Sequence, residues 1–369
     1  MDRLPDDVRI VPPLPAVGPA NRHPSPEVGT SGFSPVRVLV ALLPWLIIGG
    51  LLWAAFFIRP QPVGDTVQPP VIERRDHYHG LAALPSGALW LAGSGGKIVA
   101  VGADGTAERV ATPVQATLQD LAAWDADRAV AVGNDGIVLV TADGGKTWTP
   151  APEVPRSEVA NKLIRVHVQQ AGRAWAVGEM GALLETIDYG RSWQRRHPEQ
   201  DTAWNGIAAA GGGLLWVVGE FGQMLRSTDD GLSWEAFTAP VESSLMAVAF
   251  RDARHGVAIG LEGVVLVTDD AGEHWTRIDS GVREHLYDVV WDDKRRRWVA
   301  AGDQGVWLAG DAAGRQWQHG RVAEREYAWH TRLLPTAAGV WFAGASVGLW
   351  ADGQWRPLGN PNGRPPGSD

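Results

Sequence analysis

Cysteine is missing from all 369 residues, so a disulfide framework, a thiolate metal site and a catalytic cysteine are excluded together. Tyrosine is scarce at 4 residues, which leaves few phenols for any chemistry that needs one. Charged residues make up only 20% of the chain and tilt negative, and residues 76–369 carry 36 acidic against 26 basic side chains. Such a surface repels phosphate backbones, so nucleic acid is not an expected partner. Beyond residue 75 no stretch shows the 3.6-residue apolar period of an amphipathic helix. What is plentiful instead is glycine at 45 residues and tryptophan at 19, a balance that implies many short strands and tight turns.

One long uncharged run exists. Twenty-one residues, 38–58, separate Arg37 from Arg59, enough to span roughly 30 Å of hydrocarbon as a helix. This predicts a transmembrane anchor over 37–59, with Trp45 and Trp53 toward the two interfaces and Pro44 as a tolerated kink. The preceding segment is long for a signal peptide and no small-residue cleavage site follows, so the reading is an uncleaved signal anchor. Residues 1–36 hold eight prolines and are expected to be a disordered tail. Residues 60–75, with Pro60, Pro62, Pro69 and Pro70, are expected to form an extended spacer, and residues 359–369 a disordered C-terminal tail. A short tail inside and a large domain outside places the chain as a single-pass protein of the inner (cytoplasmic) membrane, its domain on the periplasmic or lumenal side.

Between 76 and 358 a small-residue strand ending in glycine recurs at Gly93, Gly133, Gly178, Gly219, Gly260, Gly302 and Gly344, with spacings of 40, 45, 41, 41, 42 and 42. A second glycine three residues on, from Gly96 to Gly305 in six of the seven, predicts a tight hairpin with positive φ. The following strand runs into a Ser/Thr-x-Asp-x-Gly-x-x-Trp box, complete at 141–148, 186–193, 227–234 and 268–275. Its acids and rings are Asp143, Trp148, Asp188, Trp193, Asp229, Trp234, Asp270 and Trp275. Each carboxylate is expected to accept turn amides and each indole to pack under its hairpin, which makes the box structural rather than catalytic. The first repeat keeps only Asp104 and Gly105 of the turn. An apolar stretch precedes each glycine strand, giving four strands in about forty-two residues, the size of a propeller blade. The fold class expected is therefore all-β, a seven-bladed β-propeller behind one N-terminal transmembrane helix. Residues 71–75 could add an outer strand to the last blade.

The boxes at 141–148 and 227–234 resemble the Asp-box, or BNR, repeats of sialidase-type propellers. With the glycine-ending strands before them, residues 76–358 more closely resemble the photosystem II assembly and stability factor family and its relatives in non-photosynthetic bacteria. That resemblance implies a seven-bladed scaffold that assists assembly of a membrane complex and is not an enzyme.

In a propeller the loops leading into the inner strands share one face with the hairpins after the second strands. The repeat places His79, Gln119, Arg165, Asn205, Tyr287, Asp288 and His330 on that face from the loops. The hairpins add Asp135, Glu179, Glu220, Glu262 and Asp303, a ring of acids suited to a basic loop of a membrane protein. His77, His79 and His330 lack a fixed metal-binding spacing and are read as solvated residues, so neither a metal nor another cofactor is expected. The leading function is a membrane-anchored scaffold for an integral membrane complex such as a transporter or photosystem. The alternative is a sialidase-type glycoside hydrolase, which needs a tyrosine nucleophile with an activating Glu and an arginine cluster.

Overall fold

The computed structural model describes residues 35–57 and 71–358, apart from Arg74, Ala103, Asp104 and Asp352. The expected N-terminal tail up to residue 34, the spacer up to residue 70 and the whole C-terminal tail, 359–369, lie outside the described residues, as does Asp104 of the first turn. Pro35–Phe57 is one helix, α1, running through Pro44. Over Val38–Phe57 it is long and apolar enough to cross a membrane.

The second unit is built from the recurring small-apolar strand. In Ala129–Gly133, Ala174–Gly178 and Gly256–Gly260 every residue is buried, which an ordinary two-sided sheet would not allow. Burial of both faces follows because alternate residues enter opposite seams. Ala258 joins the core between the fourth and fifth blades, while Val257 and Ile259 join the core between the fifth and sixth. Seven four-stranded antiparallel sheets arise this way, each from four strands consecutive in sequence. Seven apolar clusters lie between them, one per seam. The inner strands, Tyr78–Ala83, Leu118–Ala123, Leu163–Val168, Trp204–Gly211, Leu245–Phe250, Leu286–Asp292 and His330–Pro335, pack side by side. The first also touches the last, so the wheel is closed.

Closure uses no exchanged strand among the described residues. The segment beginning at Val71 is not a strand, contrary to the expectation of an added outer one. Val71 and Ile72 instead wedge their side chains into the cluster of the first and seventh blades, with Tyr78, Leu81, Ala343 and Val347. Arg109 holds the segment by donating to the Val71 carbonyl at 3.0 Å.

Each strand glycine solves a close approach. A β-carbon on Gly260 would lie 2.2 Å from the Ser244 carbonyl oxygen, and one on Gly302 would lie 1.8 Å from that of His285. Those carbonyls accept the N–H of the residue after the glycine, as in Leu261 N to Ser244 O at 3.0 Å and Asp303 N to His285 O at 2.9 Å. The same bond recurs in all seven blades, beginning with Ser94 N to His77 O. It draws the start of each inner strand against its neighbour, and every inner strand carries a register shift, a β-bulge, just after that point.

The boxes bond as expected and reach further. The hydroxyls of Thr141, Thr186, Ser227 and Thr268 each donate to their aspartate at 2.8 Å and accept the glycine N–H of the turn. The glycine then lies on a tryptophan of the preceding blade: Gly145 on Trp90, Gly231 on Trp175, Gly272 on Trp216. Box indoles meet those same rings edge-to-face, Trp90 with Trp148 at 5.7 Å, Trp175 with Trp234 at 5.5 Å and Trp216 with Trp275 at 5.6 Å. The box is thus a clamp between blades and not only a turn within one.

Hydrogen bonds from Thr147 to Asp143 and from Ser233 to Asp229 hold both carboxyls down at about 2. At Asp270 burial pushes upward, but the bonds from His274 outweigh it and leave it at about 2, and Asp188 is lowered in the same way. Folded values below the unfolded carboxylate value of about 3.9 mean that this stabilisation is complete above about pH 4 and is lost as pH falls toward 2. Replacing the four box aspartates by Asn is expected to flatten the fall in thermal stability between those limits; an unchanged slope refutes it. Gly260→Ala is expected to cost about 1–3 kcal/mol or more in chemical denaturation, because the carbonyl it meets is backbone. An unchanged denaturation midpoint would show that the close approach is dispensable.

Candidate functional site

The bulge decides which inner-strand residues face what. The residue paired with the strand glycine is an apolar anchor turned into the seam: Tyr78, Leu118, Leu163, Trp204, Leu245 and Leu286 in the first six blades. The extra, bulged residue comes next, at the start of the inner strand: His79, Gln119, Ile164, Asn205, Met246, Tyr287 and Thr331. The one after that lines the channel: Gly80, Asp120, Arg165, Gly206, Ala247, Asp288 and Arg332.

His79, Gln119, Asn205 and Tyr287 are all bulged residues of this kind. His79 stacks on Trp329 at 5.3 Å, and burial, then the nearby His77 and Lys162, push its imidazole down to about 4. Gln119 Nε2 donates to Asn134 Oδ1 at 3.0 Å. Asn205 is buried and its Nδ2 donates to the Leu245 carbonyl of the next blade at 2.9 Å. Burial and Asp303 raise the Tyr287 phenol to about 12.

Three residues lie deeper than expected: His330, Arg165 and Asp288. His330 pairs with Gly344 and so takes the anchor position, fully buried against Phe342 and Trp355 at ring distances of 5.5 Å. Burial pushes its imidazole down to about 4, and it is no mouth residue and does not join His77 and His79. Arg165 lies one step deeper than the rim, inside the channel. Among the described residues no group of three His, Asp or Glu side chains is placed to hold a metal.

The hairpin acids split into two kinds. Glu179 and Glu220 turn back and accept the backbone N–H of Lys162 at 3.1 Å and of Ala203 at 2.9 Å, completing the junction of hairpin and inner strand. Asp303 is engaged with Tyr287. Asp135 and Glu262 occupy the positive-φ centre of their hairpins and project into solvent.

Below the mouth lies a feature that the sequence alignment missed. Asp120 accepts Val166 N–H at 2.9 Å and Asp288 accepts Leu333 N–H at 2.7 Å, each stitching its blade to the next. The arginines beside those amides cross over: Arg332 Nε lies 3.0 Å from Asp120, and Arg165 Nη2 lies 3.5 Å from Asp288. The shorter contact is an ion pair without hydrogen-bond alignment, since neither atom has a hydrogen-bond partner. Four charges that cancel thus bridge the channel between opposite sides of the wheel. Burial raises the Asp120 carboxyl, with Arg332 and Arg165 pulling against it. The remaining cavity, about 190 Å³, is lined by Arg165, Asp288 and Arg332 together with small residues such as Gly206, Ala208 and Ala247. The four residues stand two places beyond the anchors of their blades, Leu118, Leu163, Leu286 and His330, a register that counting back from the glycine alone does not give.

The family model described as photosynthesis system II assembly factor YCF48 matches residues 55–184 and 156–239. Among solved structures, YCF48 bound to D1 peptide shares 17% identity over 73% of this chain and 91% of its own, with a TM-score of 0.60. YCF48 from Cyanidioschyzon merolae shares 17% over 75% of this chain and 94% of its own, also at 0.60. PorZ, a surface component of the type-IX secretion system of Porphyromonas gingivalis, shares 14% over 82% of this chain but only 40% of its own, at 0.58. At these identities the likeness is one of fold. No curated protein matches the chain.

Because Asp120 and Arg332 are each left with a buried partner when the other is removed, Asp120→Asn and Arg332→Met are each expected to destabilise by about 3–5 kcal/mol. The double variant is expected to lose less than the sum of the two. A denaturant double-mutant cycle with no coupling would show that the bridge is not an interaction.

Proposed function

The chain belongs to the photosynthesis system II assembly factor YCF48 family, and from that membership we propose that it is a non-catalytic scaffold for assembly of an integral membrane protein complex. A solved relative, YCF48, is bound to a D1 peptide. By analogy the client here is a segment of a membrane protein, presented to the mouth face of the wheel. The observation that carries the reading is the family match together with a channel bridged by paired charges, which directs contact to the rim.

In this reading α1 anchors the chain once in the inner membrane, and residues 60–75 hold the propeller on the periplasmic or lumenal side. A tether of that kind keeps the propeller at high effective concentration near clients in the same bilayer. The hydrolase alternative gains no support from three of the four tyrosines. Tyr78 bonds to Asp76, Tyr189 lies under Arg128 in a box turn, and Tyr287 holds Asp303.

In-membrane crosslinking followed by purification of the full chain is expected to recover an integral membrane complex, a transporter or an assembling photosystem. Deleting residues 35–57 is expected to lower recovery by about a hundredfold. Recovery of soluble proteins alone, equal recovery without the helix, or turnover of a fluorogenic sialoside by the purified protein would each overturn the proposal.

A further inference from the structure

Five large apolar side chains of the described propeller residues stand well exposed: Val159, Ile187, Phe221, Leu232 and Tyr327. Ile187 and Leu232 belong to box turns, whereas Val159, Phe221 and Tyr327 lie on the mouth face. Phe221 is the most telling. It occupies the centre of its hairpin at φ 54°, and Met180 holds the same place one blade earlier at φ 53°. The other hairpins fill this position with Gly95, Asp135, Glu262 and Gln304, which are small or polar. A bulky side chain is rare in the left-handed region, and a ring exposed at 68% recovers little by packing. Strain kept without a packing return is the mark of a residue retained for contact.

Val159, Met180 and Phe221 form one strip. The Val159 N–H donates to Ser157 Oγ at 3.0 Å, and Ser157 Oγ donates to Glu199 at 2.5 Å, in the loop that packs on the Met180 hairpin. From there Gly181 N donates to Thr202 O at 2.6 Å, and Thr202 reaches Gln223, two residues past Phe221, at 3.5 Å. Exposed Glu158, Glu199, Asp201 and Glu242 flank the strip, against Arg156 and against Arg195, which donates to the Met180 and Gly181 carbonyls at 3.4 and 3.3 Å, so acids still outnumber bases there.

We propose that this strip, off the channel axis on the third and fourth blades, seats the client segment, and that the segment carries an aliphatic or aromatic anchor flanked by Lys or Arg. The assignment rests on the scaffold reading and specifies its partner. Basic flanks answer the carboxylates, and the anchor covers Phe221 and Met180.

The test uses the full chain in detergent micelles and three labelled synthetic peptides of equal length, read by fluorescence anisotropy. One alternates Lys with Leu and Phe, one alternates Lys with Ser, and one alternates Glu with Leu and Phe. The first is expected to bind about tenfold or more tightly than the others. Phe221→Gly and Met180→Gly are expected to lose about tenfold toward it, while Gln304→Gly at the equivalent hairpin leaves binding unchanged. Because glycine suits positive φ, neither variant is expected to melt below wild type, which separates lost contact from lost fold. Equal binding of the Lys-Ser peptide, wild-type affinity in both glycine variants, or no binding of any peptide would overturn the assignment. If membrane crosslinking still recovers a client in that event, the scaffold reading survives and only the strip is wrong.

Discussion

The structure depends on one contact repeated seven times: a backbone carbonyl pressed against a glycine that has no β-carbon to resist it. Accepting the N–H of the following residue, that carbonyl fixes the start of each inner strand to the end of the second strand. Six to eight residues of inner strand then have to pair with a shorter partner, and the bulge absorbs a surplus residue. From that bulge follows the division of labour along the strand. The anchor goes into the seam, the next residue to the rim, and the one after into the channel, a sequence of directions that plain alternation would not give.

This explains what could be read from sequence and what could not. The period, the seven units, the hairpin glycines and the Asp-boxes are legible because each is chemistry with a fixed residue type. Gly136, Gly181 and Gly222 do have positive φ, and the four box aspartates do close their turns. The register of the inner strand is carried by a bulge with no residue signature, so it had to be counted back from the strand glycine. That count works while the inner hairpin keeps its length. From anchor to glycine the interval is the same for Leu118 to Gly133, Leu163 to Gly178 and Leu245 to Gly260, but one shorter for His330 to Gly344. A histidine counted to the rim therefore lands in the seam, and Asp120 and Arg332 go unnoticed one step deeper. The box clamp was half legible for a similar reason: Gly145 and Trp148 show a turn, but nothing local to them shows that their floor is Trp90 of the blade before.

Seam and box together leave little of each blade free to vary. Strand residues are committed to two cores at once, and the box residues to the adjoining blade, so a new side chain at those places disturbs two sheets rather than one. The hairpin centres escape this double commitment. They are held by backbone bonds at both ends, which is why residues as unlike as Glu262, Phe221 and Gln304 share one backbone conformation.

The hub carries the last step of the argument. Two aspartates fixed by amides of the neighbouring blades and two arginines crossing the channel form a set with no excess charge of either sign to draw in a charged ligand. A substrate carboxylate entering there would have to displace Asp120 or Asp288 from arginines already paired in a poorly solvated site, and the displaced aspartate would be stranded. Rim residues face no such competition. An acidic, partly apolar rim over a neutralised hub favours recognition of a surface segment of another protein over capture of a small anion.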